Sequence, residues 1–220
     1  MFVSINGAQI YYETLGSGPP MILIHGNSED HTIFDKLAGK LKKDFSLYLP
    51  DSRNHGQSEV TELYDYDIMA NDLEAFIVAL GLAGVNIVGF SDGAILALKL
   101  AIKRQELIGR MALLSVNLKP ADLTKEGREF IEKLYAENES RLLKLILDQP
   151  NIEDDELRHI QRPTLVVGAE NDMITHSTFA RVNDALPDSR LIIVPKHDHL
   201  SYVVHTDYLY PELKRFFKGK

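Results

Sequence analysis

The pentapeptide Gly89-Phe90-Ser91-Asp92-Gly93 brackets a serine with glycines, directly after the apolar run Val85 to Val88 and directly before a helically spaced run beginning near Ala94. Strand, glycine, serine, glycine, helix is the context of a sharp turn that lifts a hydroxyl out of the end of a sheet. Backbone crowding at such a turn explains both glycines. The helix behind Ser91 leaves the Asp92 N–H free at its positive end, where it can face a developing oxyanion.

A serine hydroxyl is a weak nucleophile at neutral pH. It needs an imidazole base, and the imidazole needs a carboxylate to hold its tautomer and stabilise its cationic form. Both follow in the order Ser, Asp, His. Asp172 lies in Gly168-Ala169-Glu170-Asn171-Asp172, the loop leaving the strand-like run Thr164 to Val167, with Glu170 as local competitor. The loop Pro195-Lys196-His197-Asp198-His199-Leu200 offers two imidazoles. His197, Asp198 and His199, with His205 nearby, also carry zinc-ligand chemistry. No second ligand cluster joins them, so neither a metal nor a cofactor is expected. Upstream, His25-Gly26-Asn27 ends the run Met21 to Ile24, and the Asn27 N–H supplies a second oxyanion donor. His25 itself reads as structural, bonded to loop backbone. The turn-rich segment Asp51 to Ser58 reads as scaffold, with Asp51 and Arg53 expected to tie the loop together by ion pairing.

These groups need a sheet to position them. Residues 2 to 14 alternate around Asn6-Gly7, which predicts an antiparallel hairpin. Six runs then lack strict polar alternation, as strands covered on both faces do: Met21 to Ile24, Phe45 to Leu49, Val85 to Val88, Met111 to Val116, Thr164 to Val167 and Leu191 to Val194. Helical spacing lies between them, over Ile33 to Lys42, Ile68 to Leu80, Ala94 to Lys103, Thr178 to Leu186 and Tyr208 to Phe217. The class is therefore α/β, a mostly parallel sheet with an N-terminal antiparallel hairpin. Residues 119 to 160 hold no strand-like run and carry Phe130, Ile131 and Leu134 at helical spacing. They read as a small helical lid within one domain spanning 1 to 220, placed over the carboxyl ends of the strands.

The 220 residues carry 24 Lys plus Arg against 32 Asp plus Glu, a formal net charge of −8. A surface this acidic repels phosphate backbones, and no basic stripe offsets it, so a nucleic-acid partner is not expected. The absence of cysteine excludes thiolate catalysis and disulfides. The longest apolar runs fall far short of the roughly 20 residues of a membrane-spanning helix. No leader-like segment opens the chain, so a cytoplasmic protein without a membrane partner is expected. Oligomeric state is open.

Together these pieces resemble the α/β-hydrolase family: His25-Gly26 after the third strand, the Asp51 to Ser58 loop, the Gly89 to Gly93 elbow, Asp172 and His199, in the family's order along essentially the whole chain. Within the family's terminal pattern, His199-Leu200 fits better than His197-Asp198. Departures are Asn27, where relatives often carry a large apolar residue and which would make the acyl side more polar, Asn54 in place of a commoner glycine, and a short Ser91-to-Asp172 interval. That interval implies a reduced lid and a shallow cleft suited to short acyl groups. The resemblance implies a serine hydrolase of the carboxylesterase-like branch acting on a small ester-like molecule, with Ser91 as nucleophile, His199 as base and Asp172 as its orienter. A serine at the elbow argues against branches whose chemistry begins on a carboxylate. Thioesterase, carbon–carbon bond hydrolase and perhydrolase chemistry use the same groups, and a low-turnover ligand receptor or signalling protein could retain them.

Overall fold

The computed structural model describes residues 1–219. Asn6 and Gly7 adopt φ of 47° and 77°, the left-handed pair that a two-residue hairpin turn needs. They join β1 (Phe2–Ile5) to β2 (Ala8–Leu15) in antiparallel register, Phe2 opposite Tyr11 and Ile5 opposite Ala8. The remaining strands are β3 (Pro20–Ile24), β4 (Ser46–Pro50), β5 (Val85–Phe90), β6 (Ile108–Leu114), β7 (Thr164–Asn171) and β8 (Ser189–Asp198). They form one sheet in the order β1-β2-β4-β3-β5-β6-β7-β8, antiparallel at β1/β2 and β2/β4 and parallel from β4 onward.

Apolar residues run unbroken through the central strands because both faces are covered. Ile22, Ile24 and Ile87 face one core with residues of α2 (Tyr66–Ala79), α3 (Asp92–Arg104) and α7 (His176–Ala185). Met21, Leu23, Val88 and Phe90 face the other, with α1 (Asp35–Leu41) and α8 (Tyr210–Lys218). The mostly parallel α/β sheet with its hairpin is thus as expected. Strand limits differ where side chains decide them. Phe45 precedes β4 and packs edge-on against Phe217, 6.3 Å between ring centres. β6 ends before Ser115, whose φ of 51° breaks the extended backbone.

Residues 119 to 160 divide in two. α4 (Lys125–Asn138) starts at Thr124, whose hydroxyl accepts from the Gly127 N–H, and stops at Glu139 in a left-handed conformation. α5 (Arg141–Asp148) follows at once. Residues of both line a cleft at the carboxyl end of β5. The short α6 (Asp154–Leu157) instead packs on α3 and α7, with Leu157 and Ile160 in the core beneath. The cover over the strand ends is therefore narrower than the whole interval, because the apolar residues of its second half are spent on the main core.

The loop after β4 is scaffold, but not through the expected Asp51–Arg53 pair. Arg53, 2% exposed, is held by Asp72 of α2 through Nε at 2.7 Å and Nη2 at 2.9 Å, and also reaches the Asn6 carbonyl at 3.2 Å. Asp51, fully buried, accepts from the His31 N–H (2.8 Å), His31 Nδ1 (2.7 Å) and the Gln57 N–H (2.7 Å). Each ion is thus satisfied by a partner from another element, Asp72 of α2 for Arg53 and His31 for Asp51, instead of by the other.

Candidate active site

Ser91 sits between β5 and α3 with φ 51° and ψ −111°, a conformation costly for a residue with a Cβ. A side chain at Gly89 would collide with the Gly93 carbonyl, and one at Gly93 with the Ile24 carbonyl of β3. The strain is held by backbone bonds from the Ser91 N–H to Leu114 O (2.8 Å) and from the Ala94 and Ile95 N–H groups to Ser91 O (2.9 and 3.1 Å). The half-buried Ser91 and His199, with Asp172, line one cleft.

Asp172, at the carboxyl end of β7, receives His199 Nδ1 on Oδ1 at 2.7 Å. Its remaining lone pairs accept the Ser115 hydroxyl (2.5 Å) and the N–H groups of Ala169 (3.0 Å) and Ile174 (3.2 Å). Burial pushes this carboxyl up, but the His199 bond and charge, with the Ser115 and Ala169 donors, outweigh burial and hold it below the usual carboxylate range. An Nδ1–H given to Asp172 leaves His199 Nε2 as the nitrogen available to the cleft. The His199 ring lies against Phe90, 5.1 Å between centres.

The competitors are placed elsewhere. Glu170 is exposed and accepts the Lys196 N–H at 2.6 Å. The His197 ring packs on Tyr208 at 4.6 Å, and its Nδ1 faces Ser201 Oγ at 3.2 Å. Asp198 caps the N–H groups of Leu200 and Ser201, and His205 pairs with Asp35 at 3.2 Å. His197, Asp198, His199 and His205 thus do not converge as a zinc set. A different trio, Asp30, His31 and Asp51, brings ligand-type atoms within 4.8 Å of one another. Each of the three is already engaged, Asp51 and His31 mutually and Asp30 with the Thr32 N–H at 2.8 Å.

Asn27 and Asp92 present N–H groups for which no acceptor exists among the described residues, one beyond Gly26 and one in the first turn of α3. Their side chains bond to each other instead of facing substrate: Asn27 Nδ2 donates to Asp92 Oδ2 (2.9 Å) and to the Leu142 carbonyl of α5 (3.0 Å). Asn27 lines the cleft, with its amide nitrogen engaged in tying the elbow to the cover. Asp92 is buried and also accepts the Tyr66 hydroxyl at 2.7 Å; burial pushes its carboxyl up despite these donors. His25 is structural as expected, giving Nδ1–H to the Gly26 carbonyl (2.7 Å) and accepting the Ser52 N–H on Nε2 (2.9 Å). Burial first, then the neighbouring His55, lowers it to about 4, so it is neutral at ordinary pH.

The cleft encloses about 500 Å³, well within the range of small-ligand sites. Its walls include Phe130, Ile131, Leu134, Leu143 and Ile146 from α4 and α5. Two helices, α4 and α5, supply this apolar wall, and the cleft remains open to solvent on its other side. Three polar residues here carried no sequence signal strong enough to single them out. Ser115 and Tyr202 form a bonded pair behind Asp172 (2.6 Å), and Glu29 stands in the cleft. For Ser115 the clue was a small polar residue at the carboxyl end of a buried strand.

Residues 19–145 match the family model described as alpha/beta hydrolase fold. The AB hydrolase superfamily protein YisY of Bacillus subtilis is 27% identical over 78% of this chain and 81% of its own length. The pimeloyl-[acyl-carrier protein] methyl ester esterase of Nitrosospira multiformis is 23% identical over 94% of this chain and 97% of its own. Among solved structures, a meta-cleavage product hydrolase from Pseudomonas fluorescens superposes with a TM-score of 0.83 at 19% identity, over 100% of this chain and 97% of its own. With the sheet order, the strained serine elbow and a family model covering more than half its length, the chain belongs to the α/β-hydrolase family.

Proposed function

We propose that the chain is a serine hydrolase that cleaves a small carboxylic ester through an acyl-enzyme on Ser91. The observation that carries this reading is the Asp172–His199 pair at 2.7 Å, facing the same cleft as the strained Ser91. In this reading His199 Nε2 takes the Ser91 proton as Oγ attacks the ester carbonyl. The oxyanion is met by the Asn27 and Asp92 N–H groups, each worth up to several kcal/mol in the transition state. Collapse breaks the bond to the alkoxy oxygen, which leaves as the alcohol with the proton from His199. Water, deprotonated by the same imidazole, then attacks the acyl carbon and releases the carboxylic acid and Ser91. Asp172 stays ionised throughout, which its four donors favour.

Support also comes from similarity to a methyl ester esterase along nearly the whole chain. A fluorophosphonate should label native protein at Ser91 and leave Ser91→Ala unlabelled, with that variant folded but unable to turn over a simple activated ester. Labelling at another residue, or undiminished turnover by Ser91→Ala, would overturn the assignment.

A further inference from the structure

The mechanism above leaves Glu29, an ionisable residue of the cleft, without a task. Glu29 follows β3 and folds its carboxylate back over Gly26, where Oε2 accepts the Gly26 N–H at 3.0 Å. A methyl group placed on Gly26 would lie 2.7 Å from Glu29 Oε2 and 3.2 Å from Ser91 Cβ. The carboxylate and the nucleophile thus share the small space that the missing side chain leaves. Glu29 Oε1 has no hydrogen-bond partner among the described residues, and the side chain lines the cleft.

The rest of the lining sharpens the point. Among the described residues no lysine or arginine lines the cleft; its other acids are Glu126 at the start of α4, Asp198 after β8, and Asp172, already paired with His199. An incoming carboxylate would find no cation to neutralise it and would meet Glu29 beside the reacting carbon. An ammonium group would find an underused carboxylate oxygen in a mostly apolar site, where charge interactions are poorly screened.

Resting on the Ser91 reading for the position of the reacting carbon, we propose that Glu29 sets the charge preference of the cleft: it selects apolar acyl substrates carrying an ammonium group a few bonds from the scissile carbonyl and rejects their carboxylate counterparts. Glu29 here is a specificity residue that touches substrate and leaves the proton relay to His199. The groups around it are the Gly26 N–H, His199, Asp92 and Asp30. Burial, the largest influence, pushes Glu29 up to about 7 against the Gly26 bond and the His199 charge. Ammonium binding should therefore strengthen as pH rises through about 7, since the ligand needs the ionised carboxylate.

The test compares methyl hexanoate, methyl 3-aminohexanoate and methyl 3-carboxyhexanoate, which carry hydrogen, ammonium and carboxylate respectively at the same carbon. For the native chain at pH 8, kcat/KM for the amino ester should exceed that for the carboxy ester at least tenfold, and Glu29→Gln, which keeps the size and an oxygen for the Gly26 N–H, should erase most of that ratio. A second arm needs no turnover. In a Ser91→Ala chain, calorimetric Kd values for hexylammonium, hexanol and hexanoate should rank in that order from tight to weak, and Ser91→Ala/Glu29→Gln should lose the ranking. Equal ratios in native and Glu29→Gln chains, or an ammonium preference absent or unaltered by Glu29→Gln in the binding arm, would overturn the proposal. Absence of turnover by both chains, with the binding ranking intact, would instead overturn the Ser91 reading and leave the charge preference standing.

Discussion

At the scale of single residues, the two imidazoles of Pro195 to Leu200 lie two positions apart and face different neighbours. His199 is locked to a carboxylate that accepts three further hydrogen bonds, whereas His197 stacks on Tyr208 at the surface. Loss of a triad member costs roughly 10⁴-fold or more in kcat. His199→Ala should show a loss of that scale in steady-state kinetics, while His197→Ala should change kcat by less than about threefold, as a rim contact would. Ser115 reaches the substrate only through Asp172, as a positioning residue. Removing one hydrogen bond to a charged group costs about 1.5–3 kcal/mol. Ser115→Ala should thus lower kcat by roughly tenfold or more with KM nearly unchanged, and an altered KM at constant kcat would show that Ser115 acts on substrate binding instead.

At the scale of elements, the proposed esterase reading gives α4 and α5 the task of deciding which acyl groups fit. Their apolar faces wall a space of about 500 Å³, and α5 is anchored to the elbow by the Asn27–Leu142 bond and to the loop before α2 by Arg141, which bonds Glu62 and lies over the Tyr64 ring. For unbranched p-nitrophenyl esters, kcat/KM should rise from acetyl to about hexanoyl and fall again by dodecanoyl, as apolar burial is gained and then exhausted. A monotonic fall from acetyl would instead show a cleft that accepts only the shortest acyl groups. Arg141→Ala should weaken discrimination among chain lengths, since a looser α5 walls the cleft less firmly.

At the scale of the whole molecule, buried charge governs stability. Arg53→Met would leave Asp72 buried with only Asn6 as partner, and breaking such a pair costs about 3–5 kcal/mol; urea unfolding should read that loss at neutral pH. The half-buried Glu29 and the buried His25 pull the pH dependence in opposite directions. Glu29 keeps its proton up to about 7 when folded but only to about 4.5 when unfolded, so its contribution to stability is lost as pH rises through that window. His25 binds a proton only near 4 when folded and near 6.5 when unfolded, so its contribution is lost as pH falls through that window. Glu29→Gln should remove the first effect alone. Its stability relative to the native chain should grow by roughly 1–3 kcal/mol between pH 4.5 and 8, discounted for partial exposure, and a difference independent of pH would contradict the buried carboxyl.

Much of the molecule is local in origin and so legible in the chain alone. The Asn6-Gly7 turn, the doubly covered strands and the serine elbow each depend on residues within a few positions of one another, through backbone sterics and hydrophobic period. The order Ser91, Asp172, His199 was likewise readable, because open α/β sheets gather successive loops at one edge. Long-range competition for partners belongs to the tertiary structure. Arg53 chose Asp72 over Asp51, Asn27 spent its amide on Asp92 and Leu142, and Ser115 came to Asp172 from a different strand. The tertiary structure also divided residues 119 to 160 between cleft wall and core and folded Glu29 back beside Ser91, since which buried donors, acceptors and apolar faces meet depends on how distant elements pack.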